Sequence, residues 1–247
     1  MSAAGPNDYR EIIRDIARRR GALVTVLADF CRMAACALAA QTREAEYLAV
    51  AARYTRDELG LFSKGLASLV AEMERRPFED VLGPFYLMVA SKATQDARGE
   101  FYTPRPISQL MARMLLDAHA VKEGNRAVAV CEPACGAGGM VLALGELLAP
   151  DHVDILRVTC CDLNPVAADM CYINTTLWGI PAEIVWGDTL RTSVHGRWKN
   201  IHWARVGEDT RRLLHELFSG GRPYDSEISA EQTELCRKTL TQMELGL

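Results

Sequence analysis

Apolar positions along the chain follow two rhythms, and the change between them comes near residue 127. From about Asp8 to Ser91 the spacing is helical. Tyr9, Ile12, Ile13 and Ile16 form one stripe, three and four positions apart, as a single helix face requires. Dense alanine from Ala28 to Ala52 favours helix and close helix packing. Thr55-Arg56-Asp57-Glu58 has the form of a capping box. It opens a helix whose apolar face is Leu59, Phe62, Leu66, Leu69, Val70 and Met73. Pro77 ends that run, and Asp80 to Tyr86 opens another helix. Ser91 to Gly99 is polar and loop-like. Pro104 and Pro106 exclude a helix interior but suit a helix entry. Thr103 is a candidate cap there, with Ile107, Leu110, Met111, Met114 and Leu115 following at helical spacing.

Beyond residue 127, short continuous apolar runs alternate with helical patterns. Ala127-Val128-Ala129-Val130 predicts a buried strand. The stretch Cys131-Glu132-Pro133-Ala134-Cys135-Gly136-Ala137-Gly138-Gly139 follows, then a helix carrying Met140, Leu142, Ala143, Leu144, Leu147 and Leu148. Ile155 to Cys161 predicts a second strand ending at Asp162, followed by a helix with Ala167, Ala168, Met170, Cys171, Ile173 and Leu177. Ala182 to Trp186 predicts a third, closed by Gly187-Asp188. This repetition predicts a parallel sheet with ligand at the C-terminal strand ends. Lys199 to Val206 is a candidate fourth strand, and helices are expected over 208–218 and from the capping box Ser229-Ala230-Glu231-Gln232.

The strand–glycine turn–helix unit is where chemistry is expected. Glycines let the backbone approach a ligand closely, and a helix start offers free N–H groups. A nucleotide-like ligand suits it. A phosphate-binding P-loop needs Lys-Ser/Thr after its last glycine, and Met140-Val141 stand there. A dinucleotide fingerprint needs a third glycine that Gly136-Ala137-Gly138-Gly139-Met140-Val141 does not place. Asp162 falls 26 positions after Gly136, near the offset at which an acid meets ribose hydroxyls in related sheets. A helix N-cap is the plainer role for Asp162, and a simple turn the plainer role for Gly187-Asp188.

Composition narrows the class. The 247 residues are 49% hydrophobic with a net charge of −4, enough for a packed core and not a strongly basic nucleic-acid binder. The basic run Arg10, Arg14, Arg18, Arg19 and Arg20 is read as a solvated helix face. The 8 cysteines include no paired C-x-x-C sets and are read as reduced, mostly buried thiols of a cytoplasmic protein. No metal set is expected. Cys131 and Cys135 lack a second ligand pair, and His195 and His202, near Trp198 and Trp203, are read as loop or core residues. No run approaches a membrane span.

The string Glu132-Pro133-Ala134-Cys135-Gly136-Ala137-Gly138-Gly139 resembles the S-adenosylmethionine (SAM) loop of N6-adenine DNA methyltransferases. Gly99-Glu100-Phe101-Tyr102-Thr103-Pro104 upstream resembles their Gly-x-Phe-Tyr-Thr-Pro segment. Asp80 to Tyr86 and Asn174 to Ile180 also fit the methylation subunit of type I restriction-modification systems. The resemblance runs from about Asp80 to Leu190. It implies SAM as cofactor, held by Phe101, Tyr102, Thr103, Pro104, Glu132, Pro133, Ala134, Gly136, Gly138, Gly139, Asp162, Leu163, Asp188 and Thr189. In that family the Tyr-Thr-Pro segment lines the methionine end of SAM. The acid after the second strand meets the ribose, and the Gly-Asp carboxylate meets the adenine amine.

The same resemblance leads to expect an Asn/Asp-Pro-Pro-aromatic tetrapeptide on the next strand, to hold the target adenine amine for in-line transfer. The sequence contains no Pro-Pro, and Pro223 is the only proline after Asp188. The expected fold is α/β: a helical N-terminal domain (1–98), a truncated Rossmann-like SAM-dependent methyltransferase sheet (99–206) and a helical C-terminal tail (207–247). Catalytic residues are unassigned. The expected partners are DNA and a second copy or another subunit supplying catalytic or target-reading parts, with no membrane. The chain is read either as a methyltransferase acting on adenine N6 or as a catalytically silent SAM-binding subunit of a DNA modification or anti-restriction system.

Overall fold

The computed structural model describes residues 8–39, 42–90, 102–119, 121 and 127–203. Phe101, the last three positions of the tract expected as a fourth strand (204–206) and the whole C-terminal tail lie outside them.

Five helices come first: α1 (Tyr9–Arg20), α2 (Leu23–Leu38), α3 (Glu44–Ala51), α4 (Arg56–Arg75) and α5 (Leu82–Val89). The α1 stripe is buried as its spacing predicts, with Tyr9, Ile13 and Ile16 fully enclosed. Thr55 and Glu58 form the reciprocal capping box at the start of α4. Four of the five arginines of α1 enter ion pairs. Arg10 meets Glu72 at 2.7 Å, Arg14 meets Glu11 at 2.6 Å, Arg18 meets Asp15, and Arg20 meets Glu58.

The sheet follows α6 (Arg105–Leu115). Its strands are β1 (Val128–Glu132), β2 (Leu156–Asp162), β3 (Ala182–Asp188) and β4 (Ser193–Lys199), in that spatial order. Two helices, α7 (Gly139–Leu148) and α8 (Pro165–Leu177), carry the crossovers. β1 to β3 are parallel, as the strand–helix repetition requires. β4 is antiparallel to β3 and ends where the fourth strand was expected to begin. Its outward residues are polar or exposed, so it gives little periodic signal, and the short turn after Asp188 suffices to reverse the chain.

Helices and sheet share one continuous core. α8 is the join. Its Asp169 is 1% exposed and pairs with Arg43 at 3.0 Å and Arg32 at 2.6 Å. Arg43 is itself fully buried, with its guanidinium 4.0 Å from the Trp198 ring centroid. A second tie runs from the Tyr9 hydroxyl to the Val81 carbonyl at 2.7 Å.

α6 departs from its pattern. Ile107, Leu110, Met111, Met114 and Leu115 are exposed, whereas Ser108 and Ala112 face inward. The helix presses its small residues onto α7. Thr103 does not cap it. Pro104 occupies the N-cap, and no side chain supplies a hydrogen bond there.

Candidate functional site

β1 ends at Glu132, and the chain turns through two left-handed glycines, Gly136 (φ +54°) and Gly138 (φ +89°). Non-glycine residues visit that region at a cost of about 1–2 kcal/mol. Gly138 is also the N-cap of α7, so the free N–H groups of that helix open onto the turn.

Backbone bonds hold the turn against its neighbours. Cys135 N–H donates to the Cys161 carbonyl at 2.9 Å, and Gly138 N–H to the Cys135 carbonyl at 2.8 Å. Gly136 N–H donates to Asp162 Oδ2 at 2.8 Å. Asp162 Oδ1 accepts from Asn164 N–H at 2.8 Å, while the N-cap of α8 is Asn164. Asp162 therefore braces the glycine turn.

Asp188 closes β3. Its Oδ1 accepts from the N–H groups of Leu190 and Arg191, both at 3.0 Å. Thr189 Oγ1 donates to the Pro133 carbonyl at 2.7 Å, tying the third strand end to the glycine turn. Trp186 Nε1 reaches the Leu163 carbonyl at 3.2 Å. The ends of β1, β2 and β3 are thus laced together as one rim.

A cavity of about 400 Å³ opens beside that rim, within the range of small-ligand sites. Of the residues expected to hold cofactor, it gathers Tyr102, Thr103, Pro104, Glu132, Ala134, Gly136 and Gly139. Pro133, Gly138, Asp162, Leu163, Asp188 and Thr189 do not line it; they lie in the turn or along the β2 and β3 ends. Tyr102 forms one wall. Its ring stacks on Tyr86 at 6.4 Å and covers both Gly83 and Gly136.

Asp80 and Asn174, which the sequence offers only as parts of the family pattern, tie the cavity wall to the turn. Asp80 Oδ1 accepts from Leu82 N–H (3.1 Å), Gly83 N–H (2.9 Å) and Asn174 Nδ2 (3.1 Å). Asn174 also donates to the Ala137 carbonyl at 2.8 Å, so one buried amide joins Asp80 to the glycine turn. Burial holds the Asp80 carboxyl up at about 6. Burial also raises Glu132, and the nearby Asp162 charge adds to the effect.

Sequence spacing concealed one further cluster. Cys135, Cys160 and Cys171 come from the turn, β2 and α8, and their sulfurs lie within 4.8 Å of one another, fully buried. Hydrogen bonds from the other two thiols hold Cys160 down at about 5. Among the described residues this is the one side-chain group suited by number and softness to a thiophilic metal. Its sealed position under the turn suits packing equally well.

Comparison with known proteins covers the same stretch. The sequence profile of the N-6 DNA Methylase family matches residues 78–204, from the end of the helical region through β4. The MpnII type I restriction enzyme methylase subunit of Mycoplasma pneumoniae is 29% identical over 139 residues, 52% of this chain and 25% of that protein. The MjaIX type I restriction enzyme methylase subunit of Methanocaldococcus jannaschii is 31% identical over 111 residues, 43% of this chain and 18% of that protein. The matched stretch thus spans a quarter or less of these relatives. A parallel strand–turn–helix array with this glycine turn, matched by the family over more than half of its length, identifies the chain as a member of the N-6 DNA methylase family.

Proposed function

We propose that the chain binds SAM across the β1–β3 rim and serves adenine-N6 methylation of DNA. The observation that carries this reading is the glycine turn itself. Gly136 brings bare backbone to the cavity beside the Tyr102 ring, and Gly138 turns the chain into the start of α7. The residues present fit the group. The cavity beside Tyr102, Thr103 and Pro104 would take the methionine portion. Asp162 would accept from the ribose hydroxyls, and Asp188 from the adenine amine, with Glu132, Pro133, Ala134, Gly139, Leu163 and Thr189 completing the contact. SAM supplies an electrophilic methyl group when bound.

Residues 99–206 are assigned as the cofactor-binding unit, with 1–98 as its helical partner and 207–247 as a tail. No described helix is long and apolar enough to cross a membrane, in keeping with a cytoplasmic site of action on DNA. Binding is tested by calorimetry with SAM and S-adenosylhomocysteine. No heat with either would refute the assignment.

A second reading has its own support. The sequence holds no Pro-Pro, and β3 leads directly into antiparallel β4 instead of a strand bearing the base-holding tetrapeptide. On this reading the chain binds SAM without transferring its methyl, as a regulatory or assembly subunit. Tritiated SAM separates the two. Label on adenine N6, by the chain alone or with a partner subunit, supports transfer; binding without label under both conditions supports the silent role.

A further inference from the structure

The glycine turn, β2 and α8 bring three sulfurs to one point. Cys135 comes from the turn, Cys160 from β2 and Cys171 from α8, and their Sγ atoms lie within 4.8 Å of one another. None of the three is in a disulfide. Cys160 and Cys171 have no exposed surface. Cys135 lines the cavity, which gives an ion a way in from that side. Gly138 makes room for the Cys171 sulfur, since a β-carbon at that position would stand 3.0 Å from it. Metal–thiolate bonds of about 2.3 Å set three sulfurs about 4 Å apart around an ion, so small side-chain rotations close the set. Packing alone needs only small apolar groups at these positions, not three soft donors converging from separate elements.

We propose that Cys135, Cys160 and Cys171 form a three-sulfur site for copper(I). Sulfur donors select soft ions, which leaves copper(I), zinc and iron–sulfur clusters as occupants. Zinc in a closed site takes four ligands, and the clusters are held by four cysteines. Among the described residues no fourth metal-ligating side chain joins the three. Copper(I) is satisfied by three sulfurs in a plane. Its binding releases thiol protons to solvent and changes no oxidation state. The bound ion would fasten the glycine turn to β2 and α8, independently of any cofactor in the cavity.

The test is anaerobic titration of the reduced full chain with copper(I), in competition with bicinchoninate. The wild type should withhold one copper(I) per chain. Cys135→Ser, Cys160→Ser and Cys171→Ser should each lower that affinity by more than about a hundredfold, the upper range for loss of a mere outer partner of a metal ligand. Cys131→Ser and Cys161→Ser alter neighbouring cysteines outside the trio and should keep it. A serine hydroxyl buried in place of a thiol destabilises the fold, so a second measurement uses the wild type alone. X-ray absorption on the chain with one copper(I) bound should show three sulfur neighbours and no nitrogen or oxygen. Failure of the wild type to withhold copper(I), a nitrogen or oxygen among the neighbours, or full retention by all three trio variants overturns the site and leaves the thiols as packing alone.

Discussion

The Tyr102 ring occupies the space that a side chain at Gly136 would need. A β-carbon built on Gly136 would lie 3.2 Å from the ring, at a backbone φ of +54°. Gly136→Ala therefore meets both a strained backbone and a blocked neighbour. The expected loss is about 1–2 kcal/mol of stability from the backbone alone, read by urea denaturation. SAM affinity should fall as well, because the ring must shift out of the cavity wall.

Gly83 makes the matching contact from the other side. A β-carbon there would overlap the Asp80 carboxylate and lie 2.7 Å from Tyr102. Gly83→Ala should therefore displace Tyr102 while leaving the sheet intact. Near-ultraviolet circular dichroism should lose tyrosine signal with little change in the far-ultraviolet spectrum, and SAM affinity should drop.

Acidity should act on folding through Asp80. Burial raises the Asp80 carboxyl to about 6 in the folded chain, above its unfolded value. Its protonated form is the one folding favours, so its contribution to stability is present at low pH and is lost as pH rises through about 6. Urea midpoints at a series of pH values check this, and Asp80→Asn should flatten much of the dependence.

Asp169 is buried between Arg43 and Arg32. Asp169→Asn strips buried Arg43 of one of its two carboxylates and leaves it the partly exposed Glu46 at 2.8 Å, at an expected cost of about 1.5–3 kcal/mol for a lost charge-assisted hydrogen bond. Replacing Asp169 and Arg43 together by leucine and methionine should cost much less, since no lone charge then remains. Denaturant midpoints of the two variants test the difference.

The elements most legible in the sequence were those whose period matches their burial. The α1 stripe, the Thr55 capping box and the three parallel strands all carry a local signature of a buried face or a satisfied helix end. The α6 helix shows where this fails. Its apolar spacing is regular, yet Leu110, Met114 and Leu115 point outward because Ser108 and Ala112 allow close approach to α7. Spacing gives the period of a helix but not which face its neighbours require. β4 escaped for the opposite reason: an edge strand with exposed side chains needs no apolar rhythm.

The site divides along the same line. The glycine turn was legible because its backbone conformation admits few residue types. Asp80, Ser108 and Asn174 were not legible as a group. They come from three separate stretches, and only the folded chain brings Asp80 and Ser108 to one cavity and Asn174 to Asp80. The cysteine trio is similar, since Cys135, Cys160 and Cys171 share no motif spacing.

The stretch shared with the methylase family begins at residue 78, after the first four helices. Those helices nonetheless supply the two guanidiniums that seat Asp169 and the tyrosine hydroxyl that holds Val81. A recombinant fragment trimmed to 78–204 would carry a naked acid on a greasy helix and should come out of cells as aggregate. Sequence similarity marks what relatives have in common; the continuous core starts about seventy residues earlier, at Tyr9.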